Sequence, residues 1–297
     1  MLSQQLLNGL ALGMIYALLA VGYSLVFGIL RLVNFSHGSV YAFGAHICLM
    51  FISMNFGLLP GIVLSIVFTG ILGVLIDMTA LKPLRKKKSI PIAALITTIG
   101  ISYIIQNGLM LIYGAERKSF PKILVAEPIR IGKLVINSSQ ILILVVSIVL
   151  LILLTYLINK TKIGLAMRAI EQNEKAARLM GINVDFIIGF TFFLGGASAA
   201  IGGVLISSYY QIVYPTMGFM AGLKAFSAAV LGGIGVLYGS IVGGLVVGVS
   251  ENIATMYFGG TYRDAVAFII LILVLIFKPV GLFGKKAIKL SLIHIWR

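Results

Sequence analysis

The sequence has little cysteine and little charge, and acidic residues are especially scarce. Its 297 residues include 1 cysteine, 8 acidic residues and 3 histidines. Cys48 cannot form an intrachain disulfide, and in its apolar surroundings a cysteine acts as a small buried side chain. The histidines lack metal-ligand spacing with one another or with a carboxylate, so we expect neither a metal site nor an enzyme active site.

The phosphate-binding pattern G-x-x-x-x-G-K-[ST] is also missing. The nearest approach is GLFGKK at 281–286, which has the wrong spacing and no hydroxyl residue after the lysine. We therefore expect that the chain does not itself hydrolyse ATP and that it binds no cofactor.

What the sequence has instead is apolar length. Hydrophobic residues make up 60% of the chain, charged residues 10%, and the mean hydropathy is +1.11. Such a chain cannot cover a core with a polar surface, which indicates a membrane protein. The net charge of +15 comes from short basic clusters between apolar segments, without interleaved aromatic residues, so nucleic acid is not an expected partner.

The apolar segments predict an all-α, polytopic bundle of about eight spans, because a helix needs roughly 20 apolar residues to cross a bilayer. The start lacks a charged n-region and a cleavage site, so we keep it as a retained first span. The predicted spans are 8–30, 38–56, 60–80, 90–112, 140–158, 186–209 and 264–281.

Between 209 and 264 the chain is apolar but rich in glycine, and GGIG interrupts it at 232–235. We expect two short or re-entrant halves that form a hairpin. Residues 1–284 are then a single transmembrane domain, and 285–297 form a tail. Its last eight residues, LSLIHIWR at 290–297, change character, and we interpret them as an appendage that is not native to the chain.

Basic residues predict the orientation. Placing 31–37, 81–89, 159–185 and 278–297 on one side collects 16 of the 23 lysines and arginines there, and we assign that side to the cytoplasm. The loop 113–139 carries five basic residues on the other side, but the opposite orientation leaves at most 7 inside. The N-terminus is then outside and the C-terminus cytoplasmic.

The longest polar segment is 159–185. Ile163, Met167 and Ile170 recur at helical spacing with charges between them, which predicts short amphipathic helices on the cytoplasmic face. Such helices could contact a partner or rest on lipid headgroups, and the pattern leaves both interpretations open.

Within this segment, EKAARLMGI at 174–182 resembles the cytoplasmic motif of ABC importer permeases. The resemblance implies a coupling helix that docks into an ATPase, with Glu174, Ala176, Ala177 and Gly181 as coupling residues. Lys175 interrupts the acid-alanine-alanine core, so the match at Glu174 is approximate.

Four further segments resemble the permeases of branched-chain amino-acid ABC transporters, the Liv-H type. They are GYSLVFGILRLVNFSHG at 22–38, TTIGISYIIQN at 97–107, KAFSAAVLGGIGVLYGSIVGG at 224–244 and KPVGLFG at 278–284. The resemblance implies the ABC importer permease fold and import of leucine, isoleucine and valine across a bacterial inner membrane. It also implies a second homologous permease, two P-loop ATP-binding subunits and an extracytoplasmic substrate-binding protein as partners.

Two alternatives remain. Permeases of urea or short-amide ABC importers resemble the same motifs. A secondary transporter or channel acting alone is the alternative from another class. Secondary transporters usually keep an ion-coupling acid or broken helices at mid-membrane, and here only Glu251 and the glycine-rich hairpin fit that description.

The polar stretch NFSHG at 34–38 has two interpretations. Asn34 or Ser36 caps a helix that begins just after residue 34, and Gly38 lets backbones approach closely. Alternatively, Asn34, His37 and Gly38 line the translocation path or its gate. The predicted topology places the stretch near the cytoplasmic surface, which favours a cap or gate over a ligand site.

Three further polar residues lie within predicted spans. Gln106 and Asn107 fall late in the fourth span, where they line an outer vestibule or bond to a neighbouring helix. Glu251 is a carboxylate in an apolar helix and therefore a candidate path residue, or else it pairs with Arg263 near the outer interface.

Overall fold

A computed structural model of the protein describes residues 2–87, 89–132 and 134–284, so the predicted tail at 285–297 lies outside it. The described chain is mainly helical. Its α-helices are α1 (Leu2–Leu30), α2 (His37–Ser53), α3 (Leu58–Ile76), α4 (Lys82–Lys86), α5 (Pro91–Tyr113), α6 (Ser138–Lys160), α7 (Lys162–Gln172), α8 (Glu174–Leu179), α9 (Val184–Tyr210), α10 (Met217–Gly232), α11 (Leu237–Phe258) and α12 (Arg263–Phe277).

Apolar composition explains the long helices, because a backbone in lipid must satisfy its hydrogen bonds internally. Within the described residues, seven helical segments are long and apolar enough to cross a membrane, and α2 and α10 are shorter apolar helices. A π-helical turn at Asp77–Leu81 joins α3 to α4, and a 3₁₀ turn at Gly260–Tyr262 precedes α12. The predicted all-α membrane bundle is confirmed.

One end of the bundle, here called the loop end, carries the segments 114–137, 211–216 and 259–262. Two small antiparallel pairs lie there: β1 (Lys118–Ser119) with β4 (Ile212–Val213), and β2 (Ile129–Ile131) with β3 (Leu134–Ile136). The side chain of Gln4 bonds to the backbone of Val135, which ties the start of α1 to this end.

The opposite end, here called the coupling end, carries α4, α7, α8 and the turn between α10 and α11. Arg31 pairs with Glu171 of α7 at 3.5 Å, and Arg85 pairs with Asp77. The last described residues return to the same end, where the Leu282 amide donates to the Leu231 carbonyl at 2.8 Å.

The predicted glycine-rich hairpin exists, but its halves are not both short. α10 has 16 residues and α11 has 22, and the turn between them uses Gly233 and Gly235 at φ +102° and +90°. These left-handed conformations favour glycine, since other residues meet steric strain there. α11 is long enough to cross a bilayer, so its glycines serve helix packing and do not shorten it.

The core lies around α1, whose residues from Ala11 to Val26 are all buried. It packs mainly against α11, with α9 and α10 on its other sides. The α1 and α11 backbones approach closely because glycines face each other across the contact, and a β-carbon at Gly13 would lie 2.9 Å from the Leu245 Cα. α1 is therefore the central helix, although its sequence resembles that of any other span.

Candidate functional site

The polar stretch at 34–38 forms a turn before α2. The Asn34 Oδ1 accepts hydrogen bonds from the Ser36 amide at 3.1 Å and from the Ser36 hydroxyl at 2.5 Å. Neither side chain caps a free amide within the helix, which begins at His37. Instead of the expected cap at Asn34 or Ser36, the structure has a turn before α2 that these side-chain hydrogen bonds stabilise.

This turn lies deeper than the predicted topology suggested. His37 packs beside Gly22 and Ser198, and a β-carbon at Gly22 would be 2.6 Å from the His37 Nε2. Gly22 precedes the end of α1 by eight residues, about 12 Å along the axis. The expectation of a surface position was wrong, because the segment 31–36 folds back into the bundle instead of following the end of α1.

The first turn of α2 meets the first turn of α10 at this depth. A β-carbon at Gly38 would overlap the Gly218 carbonyl oxygen and lie 3.0 Å from the Gly222 Cα. Three glycines therefore permit this contact, and any larger side chain at Gly38 must displace backbone. The start of α10 is inside the bundle for the same reason as that of α2, since the segment 211–216 folds back from the loop end.

A cavity of about 300 Å³ opens beside this contact. We call it the α5–α10 cavity. It is lined by Tyr23, Phe35, Gly38, Ile99, Ser102, Tyr103, Gln106, Gly218, Phe219, Gly222 and Leu223. The wall is mostly apolar, and its few polar groups include the Ser102 hydroxyl, which lies 2.6 Å from that of Ser39. Apolar cavities with a few placed polar groups are typical of small-molecule sites.

The structure brings two of the predicted path residues together in this cavity, Gly38 and Gln106. Asn107 is exposed and does not line the cavity, and its amide donates to the Tyr103 carbonyl at 2.8 Å. Asn34 and His37 are buried next to the cavity without lining it. Tyr23 separates His37 from the cavity, with ring centroids 4.7 Å apart.

Glu251 belongs to a buried ion cluster at the loop end. Its Oε1 is 2.7 Å from the Lys224 Nζ and also accepts a bond from the Arg263 Nε. Lys224 in turn lies 2.6 Å from the Asp264 Oδ1. The Glu251 side chain is fully buried and that of Lys224 is 6% exposed. The structure thus shows the pair with Arg263 and adds Lys224, which joins α10 to α11 and α12.

The cluster balances two cations against two carboxylates, with aromatic rings around them. The Lys224 Nζ lies 5.7 Å from the ring centroid of Tyr16, and the Arg263 guanidinium lies 5.8 Å from that of Tyr210. These groups, without Glu251, line a second cavity of about 340 Å³ on the other face of α10. Sequence reasoning missed Lys224, although a lysine in the apolar run GLKAFSAAV was a usable signal.

At the coupling end, α8 is a short helix with defined ends. The Asn173 side chain accepts from the Ala176 amide at 3.1 Å and so caps the first turn. At the other end, the Gly181 amide bonds to the Arg178 carbonyl and the Ile182 amide to the Ala177 carbonyl, both at 3.1 Å. This is a Schellman ending, which requires the left-handed conformation that Gly181 adopts at φ +82°.

The predicted coupling residues lie together on α8 and its ending. Glu174, Ala176 and Gly181 are exposed, whereas Ala177 is buried against the bundle. Large apolar side chains flank them in the open: Leu179 is 88% exposed and Met180 is 82% exposed. Exposed apolar side chains at this position can contact another protein or the lipid headgroup region.

Ion pairs attach α8 to its neighbours. Arg178 lies 3.0 Å from Glu174 and 3.3 Å from Asp185, the second residue of α9. Asp185 also pairs with Lys82 of α4 at 3.0 Å. The hydrogen bond to Glu174, reinforced by Asp185, raises the pKa of Arg178 above its usual value. A displacement of α8 is thereby linked to the starts of α9 and α4.

Among the residues that the structure describes, no group of three or more His, Cys, Asp or Glu side chains could hold a metal ion. The candidate sites are an apolar cavity, a largely buried charge cluster and an exposed apolar helix.

Comparison with known proteins identifies relatives over almost the whole chain. The family described as the permease component of a branched-chain amino acid transport system matches residues 5–275. The high-affinity branched-chain amino acid permease BraD of Pseudomonas aeruginosa is 40% identical over 96% of this chain and 97% of its own length. The corresponding LivH protein of Escherichia coli is 38% identical over 96% of both chains. A probable LivH of Methanocaldococcus jannaschii is 30% identical over 92% of this chain and 90% of its own.

Proposed function

The chain belongs to the family of branched-chain amino acid transport permeases, and on that premise we propose that it conducts leucine, isoleucine and valine as the membrane subunit of an ABC importer. The protein is a multi-pass membrane protein, with residues 1–284 as a single membrane domain. Its partners in this proposal are a second homologous permease, two ATP-binding subunits and an extracytoplasmic substrate-binding protein.

The observation that carries the proposal is the geometry of α8. This helix presents Leu179 and Met180 to the exterior while Ala177 anchors it to the bundle. An ATPase that binds the exposed side of α8 and moves would displace Arg178. Because Arg178 pairs with Asp185, this displacement would also move the start of α9. Glu174, Ala176, Ala177 and Gly181 then act as the coupling residues, and no ATP chemistry is needed in this chain.

The α5–α10 cavity is our candidate for the translocation path. Large side chains on its rim, Tyr103 and Phe219, are 57% and 51% exposed, and a second permease could cover them. The N-termini of α2 and α10 meet beside it, and helix N-termini carry partial positive charge that favours a carboxylate. The apolar wall suits an aliphatic side chain, and Gln106 and Ser102 supply hydrogen bonds.

The remaining predicted path residues take supporting roles in this proposal. Asn34 and His37 hold the start of α2 at mid-depth, and Glu251 holds α11 against α10 and α12. Asn107 is exposed and does not line the cavity in this subunit, so any role in the path requires the second permease beside it.

The proposed orientation places the coupling end in the cytoplasm and the loop end outside, in the inner membrane of a bacterium. The C-terminus is then cytoplasmic. This arrangement puts α8 where ATP is available and the loop end where a binding protein delivers substrate.

Of the two alternatives, a urea or short-amide importer differs only in what the binding protein supplies. A secondary transporter acting alone is less favoured because Glu251 is already paired with Lys224 and Arg263, so it has no free charge with which to couple an ion.

The test is gentle solubilisation of the tagged protein from its host, identification of co-purifying subunits by mass spectrometry, and uptake by the reconstituted complex. Recovery of P-loop ATPases and a second permease, with ATP-dependent uptake of radiolabelled leucine in preference to urea, is expected. Uptake of urea but not leucine would replace the substrate. Recovery of the chain alone, in detergent that preserves other ABC complexes, would overturn the proposal.

A further inference from the structure

A groove outside the proposed path runs along the membrane-facing side of α6 and α11, with α1 at its floor. Its volume is about 700 Å³. We call it the α6–α11 groove. It is lined by Met14, Ile148, Leu151, Ile152, Thr155, Tyr156, Asn159, Lys160, Tyr238 and Ile241. It shares no residue with the α5–α10 cavity or the buried ion cluster, and neither coupling nor translocation uses it.

The groove is polar at one end only. Ile148 and Ile152 are 47% and 62% exposed and form its apolar wall. Asn159, Lys160 and Tyr238 lie at the coupling end, where the Asn159 amide donates to the Tyr238 hydroxyl at 3.2 Å. An apolar channel with hydrogen-bond donors and a cation at one end matches an amphiphile with an anionic head.

The charge at that end is unbalanced. Lys160 is exposed and forms no ion pair with any described residue. All eight acidic residues of the chain lie among the described residues, and none of them lines the groove. A negative group from outside the chain would therefore complete this site, and a zwitterionic head would bring a like charge to Lys160 as well.

The length of the groove fits one leaflet. Twelve residues of α6 separate Ile148 from Lys160, which is about 18 Å along the helix axis. Half of the hydrocarbon core of a bilayer is about 15 Å thick. A lipid whose phosphate lies at Lys160 thus ends its acyl chain near Ile148 and Met14.

We propose that the α6–α11 groove binds one anionic phospholipid from the leaflet at the coupling end, with its headgroup on Lys160, Asn159 and Tyr238 and an acyl chain along Ile148 and Ile152. The lipid packs between the first turn of α11 and the end of α6, directly before α7. It therefore braces the base of the coupling segment. Basic pockets between transmembrane helices are a recurrent form of anionic lipid site.

Native mass spectrometry of the full chain, purified with its accompanying subunits, tests this directly. Dioleoyl-phosphatidylglycerol and dioleoyl-phosphatidylcholine are added separately, and the fraction of permease that retains one lipid is measured. The intact protein should retain phosphatidylglycerol in preference to phosphatidylcholine. Lys160→Ala should lower phosphatidylglycerol retention about fivefold, as expected for one basic residue near a lipid headgroup.

Two variants distinguish lipid binding in the groove from non-specific attraction of anionic lipid to basic residues. Lys162→Ala removes the same charge two residues away, outside the groove, and should leave retention unchanged. Ile152→Trp fills the apolar wall and should lower retention of both lipids. Equal retention of the two lipids by the intact protein, an equal loss in Lys162→Ala and Lys160→Ala, or no loss in Ile152→Trp would each overturn the proposal.

A protein occupant is tested separately. Cys48 is buried, so an introduced Ile152→Cys is the reactive thiol of the described chain. Oxidative cross-linking of two copies of this chain through Cys at this position would show that a second copy covers the groove and would overturn the lipid assignment. None of these measurements requires ATP or transport, so they can fail while the proposed function holds, and the reverse.

Discussion

The two ends of the bundle use ion pairs in opposite ways. At the loop end, Lys224 and Glu251 are 6% and 0% exposed, and they join three helices. At the coupling end, Arg178 and Glu174 are 52% and 48% exposed. Exposed pairs contribute little to stability, whereas loss of one partner from a buried pair leaves an uncompensated charge. The first arrangement fixes helices in place, and the second permits movement at small cost.

The glycines show the same contrast. Gly38 is enclosed by the backbone of Gly218 and Gly222, whereas nothing lies within 4 Å of a β-carbon placed at Gly181. Gly38 is needed because of space, and Gly181 because of its backbone conformation. The interior is thus closely packed, while the coupling segment is held by local geometry and leaves room for a partner.

The largest expected effect is at Lys224. Lys224→Met should destabilise the protein by about 3–5 kcal/mol, because Glu251 and Asp264 are then left with Arg263 as the only cation of the cluster. Thermal unfolding of the purified protein in detergent measures the loss. In Lys224→Met/Glu251→Gln, the charges of Arg263 and Asp264 still balance. The double variant should therefore lose less unfolding free energy than the two single variants lose together. Additive losses would show that the cluster does not act as a unit.

Gly38 should come next. Gly38→Ala places a methyl group against the Gly218 carbonyl and should cost about 1–3 kcal/mol by overpacking, with loss of uptake as α2 and α10 separate. Gly100→Ala on α5 is the matched control, since a β-carbon there meets nothing within 4 Å. Uptake of radiolabelled leucine and thermal unfolding distinguish the two variants. Equal effects at both positions would count against a special role for the α2 and α10 contact.

Gly181 separates coupling from folding. Gly181→Val forces a β-branched residue into a left-handed conformation, at a cost of about 1–2 kcal/mol, and should displace α8. We expect insertion and assembly to persist while ATP-driven uptake falls sharply. Gly181→Asn should keep most of the uptake, because asparagine tolerates this conformation. Normal uptake by the valine variant would contradict the coupling role.

Arg178 should give the smallest change in stability. Arg178→Gln removes two exposed ion pairs and should alter the free energy of unfolding by less than about 1 kcal/mol, since solvent screens such pairs. If coupling depends on the link to Asp185, ATP hydrolysis should persist while uptake declines. A stability loss as large as that of Lys224→Met would erase the contrast between the two ends.

Hydropathy, charge distribution and motifs predicted the membrane bundle, the short amphipathic helices at 159–185 and the family. These features are local, because each depends on a run of neighbouring residues. The motif also gave Gly181, whose φ of +82° accounts for the glycine. The depth of His37 was not predictable in this way, because it depends on how the segment 31–36 packs against Gly22 and Ser198.

The amino-acid sequence by itself determined that the chain crosses a membrane several times and which family it belongs to, because apolar length and motif spacing act along the chain. Only the tertiary structure decided that Lys224 meets Glu251 and that Gly38 meets Gly218. It also decided that Gln106, but not Asn107, lines the cavity. Those partners are far apart in sequence, and their meeting depends on the helix rotations and depths that packing of the whole bundle selects.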